Sequence, residues 1–127
     1  MKRKELIWNG SSKKDLSNLP NDIKHTMGYA LHCAQMGSRY ENSKTLKGFG
    51  SADIIEIIDT DSEGTYRVMY TIKMAEVIFV LHAFQKKSKQ GIKTPQKEID
   101  LVKTRLKQAE EIYKELFRKS TAHENKK

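Results

Sequence analysis

The sequence predicts an α+β domain, a small antiparallel sheet packed against an N-terminal helical hairpin and followed by a long C-terminal helix, in the order β-α-α-β-β-β-α. Three observations carry this. Residues 21–35 hold one apolar helical stripe, residues 54–84 hold three strand-like runs joined by short connections, and residues 96–119 return to helical spacing. Short connections favour an antiparallel meander for the three consecutive strands.

The first strand is read from Leu6-Ile7-Trp8, which is short, apolar and closed by Asn9-Gly10. Ser12 then supplies a polar N-cap signal for a short helix that turns Leu16 and Leu19 inward. Pro20 restarts the chain. Ile23, Met27, Ala30, Leu31 and Ala34 fall on one side of the second helix, and Gly37 is placed to end it.

A polar connector leads to a strand over Ile54–Ile58 and a turn-rich loop over Asp59–Gly64. From Tyr66 to Lys73 the chain alternates, with Tyr66, Val68, Tyr70 and Ile72 on one side and Arg67, Met69, Thr71 and Lys73 on the other. Arg67 is expected to be exposed, so that Arg67→Ala leaves the fold intact. Val77–Phe84 is apolar on both faces, as in a strand inside a sheet rather than at its edge. Thr94-Pro95 is an N-cap and N1 pair, after which Ile99, Val102, Leu106, Ala109, Tyr113 and Leu116 recur at spacings of three and four. The helix is expected to reach Lys119. A single domain over 1–119 and a disordered basic tail over 120–127 follow.

At 127 residues with 37% hydrophobic and 31% charged side chains, the chain is sized for one modest core. Its net charge of +8 favours polyanionic partners. One cysteine, Cys33, rules out an internal disulfide and fits a reducing compartment. MKRKELIWNG lacks the apolar core of a secretory signal, and no stretch approaches the ~18 apolar residues that cross a bilayer. A cytoplasmic protein with no membrane partner is expected.

The charges are unevenly distributed along the chain. Asp53, Glu56, Asp59, Asp61 and Glu63 lie between Phe49 and Tyr66 without a base, whereas Lys86, Lys87, Lys89 and Lys93 follow the apolar strand without an acid. A block of one sign is commonly a solvated loop. Arg67 on the neighbouring strand, with Lys44 and Lys47 ahead of the acidic hairpin, could converge with it.

The strings LKGFGSADIIEI, GTYRVMYTIK and VIFVLHAFQKKSKQGIKTPQKEIDLVKTRL resemble the phage-derived, HigB-like branch of the RelE/ParE toxin superfamily, over about Leu6 to Leu106. The resemblance implies a curved antiparallel sheet backed by helices and the toxin half of a toxin–antitoxin pair. It also implies an mRNA endoribonuclease, often acting at the ribosome, and an antitoxin partner with a helix-turn-helix DNA-binding fold encoded next door. Arg67 matches the family's strand arginine, and Lys86 and Lys87 match its basic cluster. Some relatives carry bases where this chain has Ile55, Glu56 and Ile57, which turns attention to His82. ParE-type relatives share the fold and inhibit a DNA topoisomerase instead.

RNA cleavage by attack of the ribose 2′-OH on the adjacent phosphate needs a base, a cation for the phosphorane and an acid for the leaving oxygen. Arg67 is the candidate cation, since its fork holds two phosphate oxygens; the alternative is a strand arginine paired with Glu56 or Asp59. His82 suits either proton transfer, although a lone strand histidine is as commonly a satisfied structural group. Lys86 completes the candidate catalytic set. Lys87, Lys89, Lys93 and Lys47 are candidate RNA or ribosome contacts. Tyr70 and Phe84 read as packing residues. His25 and His32 lie about two helical turns apart, too far to share a metal without other ligands. Neither a metal nor a cofactor is expected.

Overall fold

A computed structural model describes residues 3–86 and 94–124. The chain runs β1 (Glu5–Trp8), α1 (Ser12–Ser17), α2 (Asn21–Gln35), β2 (Ser43–Thr45), a 3-10 turn (Gly50–Ala52), β3 (Ile54–Asp61), β4 (Gly64–Thr71), β5 (Val77–Lys86) and α3 (Gln96–Glu124). This is the expected α+β order with one addition. The polar connector contains the short strand β2, whose residues pair with Ile55, Glu56 and Ile57. Ser-Lys-Thr has no apolar alternation to betray a strand, so its pairing comes from β3's free edge rather than from its own side chains.

The sheet order is β1-β5-β4-β3-β2. β3, β4 and β5 form the antiparallel meander, whereas β1 lies parallel to β5, with Glu5 opposite Val77 and Trp8 opposite Val80. The sheet is therefore mixed rather than wholly antiparallel. β5 is an interior strand, buried from Val77 to Ala83, as its two-sided apolar character required.

Both faces of the sheet are covered. On one, Ile23, Met27, Ala30, Leu31 and Ala34 of α2 pack on Ile55, Ile57, Tyr66, Val68, Tyr70, Ile78 and Val80. On the other, Val102, Leu106 and Ala109 of α3 pack on Ile54, Met69, Phe79 and Leu81. Burying a side chain of this size contributes roughly 1.5–3 kcal/mol, so α3 is anchored by its first half. It continues as helix to Glu124, past the expected end at Lys119. Of the tail expected to be disordered, residues to 124 are helical and 125–127 lie outside the described residues. Among the described residues no helix is long and apolar enough to cross a membrane.

The sequence's capping signals are used unevenly. Gly37, at φ 85°, closes α2 by donating its N–H to the Ala34 carbonyl at 3.0 Å. Ser11, not Ser12, is the N-cap of α1, while Ser12 is buried and its hydroxyl donates to the Val80 carbonyl at 3.1 Å. Thr94 turns its hydroxyl away from α3, toward Glu56.

Candidate nucleic-acid interface

The sheet face under α3 carries the chemistry, and an irregularity in β5 determines which residues reach it. Met69 stands opposite His82 and Tyr70 opposite Val80, leaving Leu81 unmatched. This extra residue shifts the alternation: Phe79 and Leu81 lie in the α3-side core, and beyond the bulge His82, Phe84 and Lys86 fall on that same side. Without it His82 would follow Ile78 and Val80 toward α2. Since directly opposed residues share a face, Arg67 opposite Phe84, Met69 opposite His82 and Thr65 opposite Lys86 form one row of neighbours.

Arg67 is buried, at 2% exposure, contrary to the exposed position expected for it. The strand's second face is not open to water: Met69 packs in the cluster with Val102 and Leu106 of α3, and Thr94 reaches Glu56 beside Arg67. The Arg67 Nη1 donates to Glu56 Oε1 at 2.9 Å, and Glu56 is itself fully buried opposite Met69. Thr94 donates its hydroxyl to Glu56 Oε2 at 2.7 Å, and Lys44 Nζ lies 3.6 Å from Oε1 with half its side chain in solvent. One carboxylate therefore collects an arginine, a lysine and a hydroxyl from three separate stretches of chain.

His82 is also buried, and two residues of α3 hold its ring. Nε2 meets the Glu98 carboxylate, and Nδ1 lies 3.4 Å from Arg105 Nη1. An arginine can only donate, so Nδ1 accepts and the ring proton is assigned to Nε2, facing Glu98. Phe84 stacks on the imidazole with centroids 4.9 Å apart. Arg105 is fixed in turn, donating to the Leu81 carbonyl at 2.9 Å and to Ser11 Oγ at 3.0 Å. It passes beneath Gly10, where φ is 52° and a Cβ would come within 2.7 Å of its Nε.

The candidate residues do not all gather. Arg67, His82 and Lys86 share a face, with Lys86 half-buried at the end of β5. Lys44 joins them through Glu56. Lys47 is exposed beyond the opposite end of the β3 ladder, since Leu46 donates to the Ile54 carbonyl while Arg67 pairs with Ile58. That separation is about 13 Å along the strand. Lys87, Lys89 and Lys93 lie outside the described residues.

The separation of charge along the sequence is not a separation in space. The acidic turn between β3 and β4 and the basic end of β5 meet at one end of the sheet, where Gln85 donates to the Glu63 carbonyl at 3.2 Å. Tyr70 is a fully buried core residue, as expected, with burial pushing its hydroxyl up to about 12. Among the described residues no group of three or more His, Cys, Asp or Glu side chains could hold a metal ion.

Glu98 and Arg105 were not singled out from the sequence. The available signal was their position: with Val102 and Ala109 they occupy one side of α3, so two charged residues sit within the buried stripe. A charge at a stripe position needs a partner on the opposing sheet.

A family model described as "Phage derived protein Gp49-like" matches residues 14–107. The chain belongs to this family. The match spans this Gp49-like protein from α1 through the part of α3 that packs on the sheet, and includes Glu56, Arg67, His82, Glu98 and Arg105. No curated protein matches the chain. Among solved structures it is similar to an arginine double mutant of the E. coli toxin RelE in the free state, with a TM-score of 0.51 and 21% identity over 65% of this chain and 83% of that one. The Gp49-like chain thus has a RelE-like fold.

Proposed function

We propose that this Gp49-like protein is the toxin of a toxin–antitoxin pair and that it arrests growth by cutting mRNA at the ribosome. The supporting observation is the row of Arg67, His82 and Lys86 on one sheet face, set by the Leu81 bulge, in a fold shared with the E. coli toxin RelE. The setting is the cytoplasm, and the partner is an antitoxin encoded by the adjacent gene, a small helix-turn-helix protein that neutralises the toxin by contact.

In this reading the ribose 2′-OH loses its proton as its oxygen attacks the adjacent phosphorus. The bond from phosphorus to the 5′ oxygen then breaks, and that oxygen gains a proton, leaving a 2′,3′-cyclic phosphate and a 5′-hydroxyl. No metal takes part. Lys86 and Arg67 carry the phosphorane's charge and His82 moves a proton. Lys87, Lys89 and Lys93 grip the RNA or ribosomal backbone, and Lys47 makes a more distant phosphate contact. In the free chain the carboxylates of Glu56 and Glu98 stand against Arg67 and His82, in the positions an incoming phosphate would have to take over.

That same occupancy favours a second reading, a toxin of the ParE type that binds a topoisomerase through its surface and leaves Arg67 and His82 as structural groups. Mapping transcript 5′ ends after induction separates the two. New ends inside translated frames, lost on Lys86→Ala, support cleavage. Intact transcripts during full arrest, accompanied by a DNA-damage response, reverse the choice.

A further inference from the structure

One helix holds the histidine of the sheet face at both nitrogens. Glu98 takes Nε2 and Arg105 faces Nδ1, so the ring has no lone pair to offer and its one proton is committed to a carboxylate. In that state His82 exchanges no proton with RNA. Glu98 is the more exposed of the pair, its side chain 16% in solvent against 7% for His82, so an arriving ligand meets the carboxylate before the imidazole.

The two parts of α3 are fastened differently. From Val102 onward the helix enters the apolar core, Arg105 donates to the Leu81 carbonyl, Lys73 pairs with Glu110 at 3.0 Å and Tyr113 donates to Glu76 at 2.9 Å. Ahead of Val102, Ile99 and Leu101 are half-buried and belong to neither apolar cluster. Among the described residues, the side-chain hydrogen bonds that tie this stretch to the sheet run from Thr94 to Glu56 and from Glu98 to His82. Thr94, in giving its hydroxyl to Glu56, withholds it from the N–H groups of the first turn. A stretch of helix outside the core and joined by two polar contacts opens far more readily than the packed helix beyond it. Both contacts end in the candidate site, one on the carboxylate that holds Arg67 and the other on His82.

We propose that α3 from Thr94 to Leu101 is an autoinhibitory latch. An RNA phosphate arriving beside Lys86 replaces the Glu98 carboxylate at His82 Nε2, Thr94 lets go of Glu56, and the helix from Val102 onward keeps its place. The free chain is therefore latent, and its apparent affinity for RNA is lowered by the fraction of molecules in which the latch is closed. This adds regulation to the site proposed above and rests on the reading of that row as a phosphate site.

The test is titration of the full chain with a short 2′-O-methyl RNA oligonucleotide, which has no free 2′-OH and is not cut, followed by the imidazole ¹⁵N spectrum of His82. Binding to the parent is expected to change the His82 resonances. Glu98→Ala is expected to show changed resonances before ligand is added and to bind about fivefold more tightly, with Thr94→Val moving affinity the same way. Asp100→Asn removes an exposed acid of α3 that bonds to Gln96 and not to the sheet; an equal gain there would make the effect one of net charge and overturn the latch. So would a Glu98→Ala chain that binds no better than the parent, or a parent whose His82 resonances stay unmoved at saturation. Cleavable RNA separates the latch from the activity. Tighter binding by Glu98→Ala with the RNA left intact upholds the latch and overturns the ribonuclease reading, whereas equal cutting by parent and Glu98→Ala overturns the latch and leaves that reading in place.

Discussion

The guanidinium of Arg67 donates to the Glu56 carboxylate at 2.9 Å with both side chains buried, on β strands that lie side by side. The arginine that the family resemblance singles out is thus half of an ion pair inside the molecule. Removing either side chain breaks a buried ion pair in a poorly solvated place, which costs about 3–5 kcal/mol. Arg67→Ala and Glu56→Ala are each expected to lower stability by that order. The double substitution should cost less than their sum, as denaturant unfolding would show. Loss of toxicity in Arg67→Ala therefore counts as a catalytic effect only if the variant is shown to be folded.

Tyr70 offers the opposite expectation. Among the described residues its buried hydroxyl has no hydrogen-bond partner, so Tyr70→Phe removes an unsatisfied group and is expected to stabilise the fold by about 1 kcal/mol. Burial raises its pKa from 10.0 to about 12, which means the folded state holds the proton after the unfolded chain has released it. The contribution is present in full below pH 10 and is lost as the pH rises from there toward about 12. Unfolding free energies measured across that window should fall less steeply in Tyr70→Phe than in the parent.

Gly10 and Arg105 are coupled by space. With φ at 52° and Arg105 Nε within 2.7 Å of where a Cβ would stand, Gly10→Ala is expected to cost roughly 1–2 kcal/mol in left-handed strain. It would also push Arg105 off the Leu81 carbonyl and His82. An imidazole ¹⁵N spectrum that changes in Gly10→Ala and in Arg105→Ala alike, but not in a distant surface variant, would show that the turn after β1 sets the histidine's surroundings.

Lys86 lies half-buried at the end of β5. Lys86→Ala is expected to leave the unfolding midpoint nearly unchanged while weakening ribosome or RNA binding, and to reduce the salt dependence of that binding by about one phosphate contact. Filter binding over a range of salt concentrations measures both.

The parts of this fold legible in the sequence are those where side-chain period and packing agree. The α2 stripe from Ile23 to Ala34, the alternation through Val68 and the two-sided strand at Val80 each lie in the core as read. β2 was not legible because Ser43, Lys44 and Thr45 carry no apolar alternation, and the contact of Lys44 with Glu56 shows only once the two strands are paired. The burial of Arg67 was hidden because alternation tells which residues share a face, not whether a helix distant in sequence covers it. His82 was hidden differently. The bulge at Leu81 breaks the period of two, and no residue type in VLHAF announces it. Glu98 and Arg105 become meaningful only once α3 is laid on β5, where they close on the two nitrogens of one ring.

The most direct test of the proposed activity is the chemistry of the RNA ends it leaves. Purified protein added to translating ribosomes is expected to yield fragments with 2′,3′-cyclic phosphates and 5′-hydroxyls inside the reading frame, and Lys86→Ala should yield far fewer. Full-length message recovered from ribosomes whose translation the protein has nonetheless stopped, or fragments bearing 5′-phosphates, would contradict it.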